Sequence, residues 1–217
     1  MSLPKVILIG GAPLTGKTTV AILLATRLGY ACISTDDISA ALRAVTTSET
    51  HPDLHPMGGQ DYRTYYVRTS PKKLIHDADF QLQATWPAVA AVIREHATWR
   101  VPAVIEGWGL RPEWVAEMDL QETATFWLIA DDETIRQRLL ADTDFLRWAS
   151  NKEKLIEHFA ARSIWYNRLI AESAARIRMP TIHIPPTASP DEIYRICLQR
   201  ILGPETKYGS VEWDHTL

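Results

Sequence analysis

KVILIGGAPLTGKTTVAILLATRLG, residues 5–29, passes from a β-branched run through a glycine loop into an apolar helical stretch. Lys5 to Ile9, bounded by Pro4 and Gly10-Gly11, is short and almost wholly apolar, the signature of a strand buried in a parallel sheet. Between Thr18 and Leu28, Val20, Ile22, Leu23, Leu24 and Leu28 cover most of a helical surface, and Gly29 supplies the stop expected just past a helix C-terminus. The intervening Gly11-Ala12-Pro13-Leu14-Thr15-Gly16-Lys17-Thr18 fits the phosphate-loop pattern G-x-x-x-x-G-K-[ST]. Glycines let backbone N–H groups converge on phosphate oxygens, and the helix N-terminus adds partial positive charge. The loop from Gly11 to Thr19, with Ala12, Pro13, Leu14 and Thr15 at its crest, is therefore expected to bind a nucleotide. Lys17 is expected to neutralise and orient the transferring phosphate, and the Thr18 hydroxyl occupies the position that ligates Mg²⁺.

Outward from this loop, strands and helices alternate. Ala31 to Ser34 predicts a second strand, followed by a helix from about Ile38 to Val45 with Asp36-Asp37 as cap candidates. Residues 46–73 carry two His-Pro steps, Gly58-Gly59 and Tyr62, Tyr65 and Tyr66 without sustained periodicity, which predicts an irregular excursion or small helical cap. A helix capped by Asp77 or Asp79 is expected to run to about His96, with Phe80, Leu82, Trp86, Val89, Ala90 and Ile93 on its apolar face and a kink at Pro87. Ala103 to Ile105 forms a third strand ending in Glu106-Gly107, and Thr123 to Ile129 a fourth, followed by a helix through Leu140 capped at Asp131-Asp132. After the patternless stretch at about 141–153, a long helix from Lys154 to Arg178 leads to a fifth strand, Thr181 to Ile184, and a last helix capped by Asp191. Five strands alternating with helices imply a doubly wound parallel sheet, whose ligands sit at the carboxyl ends of the strands. Residues 1–203 are expected to form one domain, with 204–217 a polar tail.

Composition narrows the function classes. Among 217 residues, 46% hydrophobic supports a full core, and 23 basic against 26 acidic side chains, a net charge of -3, with no block of one sign, argues against a dedicated nucleic-acid binder. No apolar run approaches a membrane span. Cys32 and Cys197 are too few and too far apart for a disulfide framework and are expected to be buried thiols in a reducing, cytoplasmic compartment. Most of the eight tryptophans are expected in the core, Trp108 being the exception because it adjoins Glu106.

A phosphate loop specifies a nucleotide, not a reaction. The nearest text to a guanine-reading Asn-Lys-x-Asp is Asn151-Lys152-Glu153-Lys154, which lacks the aspartate, and Ala103-Val104-Ile105-Glu106-Gly107 lacks the Asp-Glu of motor ATPases. What remains is a small-molecule kinase. Asp36, two residues beyond the second strand, is placed to hold an attacking hydroxyl and accept its proton. Glu106 is a candidate to hold Mg²⁺ through water or to bond the acceptor. Arg43, Arg111, Arg136, Arg138, Arg147 and Arg162 are candidates to grip phosphates, because guanidinium forks match phosphate oxygens. Arg138 precedes and Arg147 lies within the stretch at about 141–153, which is expected to close as a lid and exclude water during transfer.

Several stretches together resemble the 2-phosphoglycerate kinase family of P-loop kinases. Ile7 to Thr19 (ILIGGAPLTGKTT) opens the likeness, and Ile33 to Arg43 (ISTDDISAALR) is similar to the family's I-S-T-D-S-I-R-E-V-M-R, aligning Asp36 with its aspartate and Arg43 with its last arginine. Phe80 to Leu110 looks like the family's long helix running into V-I-E-G, and Lys154 to Pro180 like its late helix. The resemblance implies an α/β P-loop NTPase fold of the nucleoside-monophosphate-kinase kind, a five-stranded parallel sheet with helices on both faces and a lid. It also implies ATP, Mg²⁺ and phosphorylation of a hydroxyl on a small acidic or phosphorylated metabolite. The family's arginine after S-T-D-S-I is Ser39 here, and its E-G-V-H-L-V-P-G becomes Glu106-Gly107-Trp108-Gly109-Leu110-Arg111-Pro112-Glu113. Both changes touch the acceptor side, which Asp36, Arg43, Glu106, Trp108 and Arg111 are expected to line. Pro186 to Pro190 resembles the adenine loop of the wider superfamily. The rival readings are a kinase for a nucleotide sugar or a nucleic-acid end, and an ATP-binding regulatory module without efficient transfer.

Overall fold

The computed structural model describes residues 3–202, so the expected tail at 204–217 lies outside the described residues. Five strands, β1 (Val6–Gly11), β2 (Ala31–Ser34), β3 (Ala103–Gly107), β4 (Thr123–Ile129) and β5 (Thr181–His183), form one sheet in the order β2-β3-β1-β4-β5. Every neighbouring pair is parallel. β1 is buried along its whole length, as a central strand covered on both faces must be.

Alternation along β1 and β4 divides the core into two layers. Ile7, Ile9, Phe126 and Leu128 point to one face, where they pack with Val20 and Leu24 of α1 (Lys17–Leu28) and with Ile193 and Cys197 of α9 (Pro190–Leu202). Val6, Leu8, Trp127 and Ile129 point to the other, against α4 (Pro71–Thr98), α5 (Pro112–Ala116) and α8 (Lys152–Ile177). The remaining helices, α2 (Thr35–Val45), α3 (Tyr62–Arg68), α6 (Asp132–Ala141) and α7 (Thr143–Leu146), lie around the loops between these elements.

Helix starts differ from the sequence expectation for one reason, competition among nearby caps. Ser34 caps α2, its hydroxyl accepting from the Asp36 amide, so the helix begins three residues early and Asp36 and Asp37 lie in its first turn. Ser70 similarly caps α4, with Pro71 at the first helical position, and Asp77 and Asp79 become interior residues. Residues 46–73 are more regular than expected, holding a 3₁₀ turn at Pro52–Leu54 and the whole of α3. Cys197 is buried, but Cys32 is exposed, because β2 is an edge strand. Trp127 is in the core, whereas Trp99, just past the end of α4, is 66% exposed. No helix among the described residues is long and apolar enough to cross a membrane.

Candidate active site

The glycine loop joins β1 to α1 at the carboxyl edge of the sheet. Gly11 (φ 140°), Leu14 (φ 70°) and Gly16 (φ 91°) take positive φ, which folds the loop back over the helix terminus. At Gly11 a side chain is sterically barred, since a Cβ would lie 2.5 Å from the Leu128 carbonyl oxygen. The Ala12 carbonyl accepts from Thr15 Oγ1 and from Lys17 Nζ, both at 2.9 Å, so the lysine arches across the loop it follows. No side chain caps α1. Its first amides are therefore directed at the loop's concave side, an arrangement suited to phosphate oxygens.

Two carboxylates face Lys17 from neighbouring strand ends. Glu106, at the end of β3, is 3% exposed and accepts from Thr18 Oγ1 at 3.1 Å. Burial pushes its carboxyl up, opposed by the charge of Lys17 and by hydrogen bonds from Ser34 and Thr18. Burial pushes Lys17 down, opposed by Glu106 and then Asp36. Thr18 and Glu106 thus converge as an oxygen-donor pair beside the phosphate loop, a donor set that fits Mg²⁺ with phosphates and waters completing the shell.

Asp36, in the first turn of α2, is oriented from outside its own helix. Trp108 Nε1 donates to its Oδ1 at 2.7 Å, and among the described residues its other oxygen has no side-chain partner. Trp108 is itself fixed, since Tyr166 Oη donates to its carbonyl and their rings meet edge to face at 5.8 Å. Close approach of β3 to α2 makes this contact feasible: Gly107 has φ 149°, and a Cβ there would fall 1.7 Å from Thr35 Oγ1.

Asp36, Arg43, Ser39 and Trp108 line a cavity of about 180 Å³ closed by Gln81 and Thr85 of α4. Arg43 donates to Ser39 Oγ at 2.7 Å and makes no ion pair among the described residues. A separate hollow of about 360 Å³ adjoins the phosphate loop, bounded by Leu14, Gly16, Thr19, Arg138, Ala188 and Pro190. Arg138 Nη1 donates to the Leu14 carbonyl at 2.9 Å, binding α6 to the loop.

Two of the arginines expected at the site stand elsewhere. Arg111 is buried and paired with Asp79 of α4, its guanidinium lying over the Trp114 ring at 4.5 Å, and it lines neither cavity. A buried guanidinium needs such a carboxylate, and the long α4 brings one within reach. Arg147 is exposed at the end of α7, 5.3 Å from the Trp148 ring. The sequence reading missed Gln81 and Thr85, although two polar side chains one turn apart on an otherwise apolar helix face were the available signal.

With this geometry in hand, comparison with known proteins is informative. The chain is 29% identical over 187 residues to the 2-phosphoglycerate kinase of Methanothermobacter thermautotrophicus, covering 82% of this chain and 60% of that protein. It is 30% identical over 131 residues to the 2-phosphoglycerate kinase of Pyrococcus horikoshii, covering 60% of this chain and 43% of that one. The chain is similar to 2-phosphoglycerate kinases. It spans between 43% and 60% of the length of these two relatives. No family model matches it. Among solved structures, a gluconokinase from Sinorhizobium meliloti aligns over 93% of this chain and 94% of its own at 17% identity, with a TM-score of 0.54. A shikimate kinase from Bacteroides thetaiotaomicron aligns over 91% and 97% at 16% identity, with a TM-score of 0.53. The fold is that of a P-loop kinase.

Proposed function

We propose that the chain is an ATP-dependent kinase that transfers the γ-phosphate to a hydroxyl of a small acidic metabolite of the 2-phosphoglycerate kind. The observation that carries the reading is Asp36, held through one oxygen by Trp108 and open through the other, at the wall of a cavity that also holds the unpaired Arg43. The names of the curated relatives support the same substrate class.

In this reading the amides of Gly11 to Thr19 cradle the phosphates, and Lys17 leaves the Ala12 carbonyl to meet the γ-phosphate. The adenine lies in the hollow between Arg138 and the loop at Pro190. Thr18 and Glu106 would hold Mg²⁺, whose charge would offset that on the transferring phosphate. Asp36 aligns the acceptor hydroxyl and takes its proton as the oxygen bonds to phosphorus and the bond to the bridging oxygen of ADP breaks. Arg43 holds an anionic group of the acceptor. Arg111, through Asp79, fixes the start of α5 and thereby the loop carrying Trp108. Arg147 reaches the transferring phosphate when residues 141–153 close over the site.

ATP consumption with Mg²⁺ across small hydroxy acids, phosphorylated metabolites and nucleosides, starting with 2-phosphoglycerate, tests this reading. Stoichiometric phosphorylation of one acid is the expected result. Preferred phosphorylation of a nucleotide sugar or a polynucleotide end overturns the substrate class, and acceptor-independent ATP turnover overturns the transferase.

A further inference from the structure

Arg162 occupies an unusual position on α8. Its guanidinium carbon lies 4.7 Å from the Phe159 ring centroid, 4.8 Å from that of Trp108 and 5.1 Å from that of Tyr66. Its Nε is buried without a hydrogen-bond partner, and among the described residues the side chain makes no ion pair. Arg111 is the contrast, a more deeply buried guanidinium whose charge is balanced by Asp79. Three aromatic faces orient a cation and partly replace its water, but they accept no directed N–H hydrogen bond in their plane.

The charge stands on a second cavity, of about 220 Å³, bounded by α3, α4, α7 and α8. Met57 and Gln81 line this cavity and the Asp36 cavity alike, so the two share a wall. The only carboxylate on the second cavity is Asp77, already bonded by Lys73 Nζ at 2.8 Å and by Tyr65 Oη at 2.6 Å. The balance left over is one positive charge, that of Arg162. Tyr66, 6% exposed, lines the same cavity, and its hydroxyl is a further potential donor there.

We propose that Arg162 and Tyr66 form an oxyanion subsite for the phosphate of the acceptor, with the carboxylate held at Arg43. This inference rests on the kinase reading for its reactive hydroxyl but not for its anion chemistry. Trp108 links the two halves: its indole nitrogen holds Asp36 while its ring face lies against Arg162.

The test compares 2-phosphoglycerate with glycerate, which retains the carboxylate and hydroxyls but lacks the phosphate, in the wild type, Arg162→Met and Arg162→Lys. Arg162→Met is expected to raise KM for 2-phosphoglycerate by about 10- to 100-fold, the worth of one charge-assisted contact, with kcat changed by less than about 3-fold. KM for glycerate should stay the same, and Arg162→Lys should recover part of the loss. Calorimetry with 2-phosphoglycerate and with inorganic phosphate, in the absence of ATP, separates this inference from the kinase reading. Arg162-dependent binding in a protein that transfers no phosphate sustains the subsite and removes the kinase. Transfer whose KM ignores Arg162, equal losses for both acids, or binding of neither anion overturns the subsite.

Discussion

In the proposed mechanism Asp36 and Lys17 carry separable tasks, and substitution should separate them. Asp36→Asn keeps an oxygen for the Trp108 indole but loses the proton acceptor, so kcat is expected to fall by about 10²- to 10⁴-fold while ATP affinity changes little. An equal loss in both would remove Asp36 from the acceptor side. Lys17→Ala removes a charge aimed at the transferring group, and transfer should drop by at least about 10²-fold with the thermal midpoint kept. The pair Glu106 and Lys17 also shapes the pH profile. Burial raises Glu106 above the ordinary 4.5 and lowers Lys17 below the ordinary 10.5, so the carboxylate protonates earlier on acidification and the ammonium deprotonates earlier on alkalinisation. The profile of kcat/KM, which reports the free enzyme, is expected to narrow from both sides, and Glu106→Gln should move its acid limb to lower pH. An unchanged acid limb in that variant would clear Glu106 of the role. At this scale the motif residues were legible because they are contiguous or end a strand, whereas the pairing of Arg111 spans from residue 79 to residue 111 and no local pattern announces it.

At the scale of elements, the contact between β3 and α2 decides where Asp36 sits. Gly107→Ala forces a methyl group against Thr35, whose Cβ would stand 2.8 Å away, so either β3 or α2 must shift. A loss of about 1–3 kcal/mol is expected in denaturant unfolding, together with a greater fall in kcat than in ATP binding, because α2 carries Asp36. Retained stability and activity would mean that the interface yields at no cost. The strands were legible within a residue or two, since short apolar runs between glycines and prolines leave little choice. Helix starts were less so: Ser34 and Ser70 outcompeted the aspartates downstream, because a cap must precede the first turn and both serines stand where the chain is still extended.

For the molecule as a whole, the two irregular segments of the sequence prove to be partners. Tyr62 of α3 stacks on Phe145 of α7 at 5.0 Å and donates to its carbonyl at 2.8 Å, so the cap at residues 46–73 and the expected lid meet across the second cavity. Beyond that anchor, Trp148 is 79% exposed with φ 66°, a conformation unfavourable for a bulky residue. In the proposed closure of residues 141–153 over the site, this exposed segment becomes covered. Tryptic cleavage after Arg147 is expected to slow by at least about 5-fold with acceptor and a non-hydrolysable ATP analogue present together, and to slow less with either alone. Equal protection by the nucleotide alone would tie the segment to ATP binding and not to the ternary complex.

The sequence by itself determined the alternation of strands and helices, the phosphate loop and the carboxylates at the strand ends, because each depends on residues adjacent in the chain or one helical turn apart. Only the tertiary structure decided which charges are balanced. Arg111 found Asp79 and Arg162 found three aromatic rings, on helices whose approach is set by packing against the sheet. Electrostatic pairing acts across a few ångströms of space irrespective of chain separation, so an arginine's partner emerges only once the helices have docked.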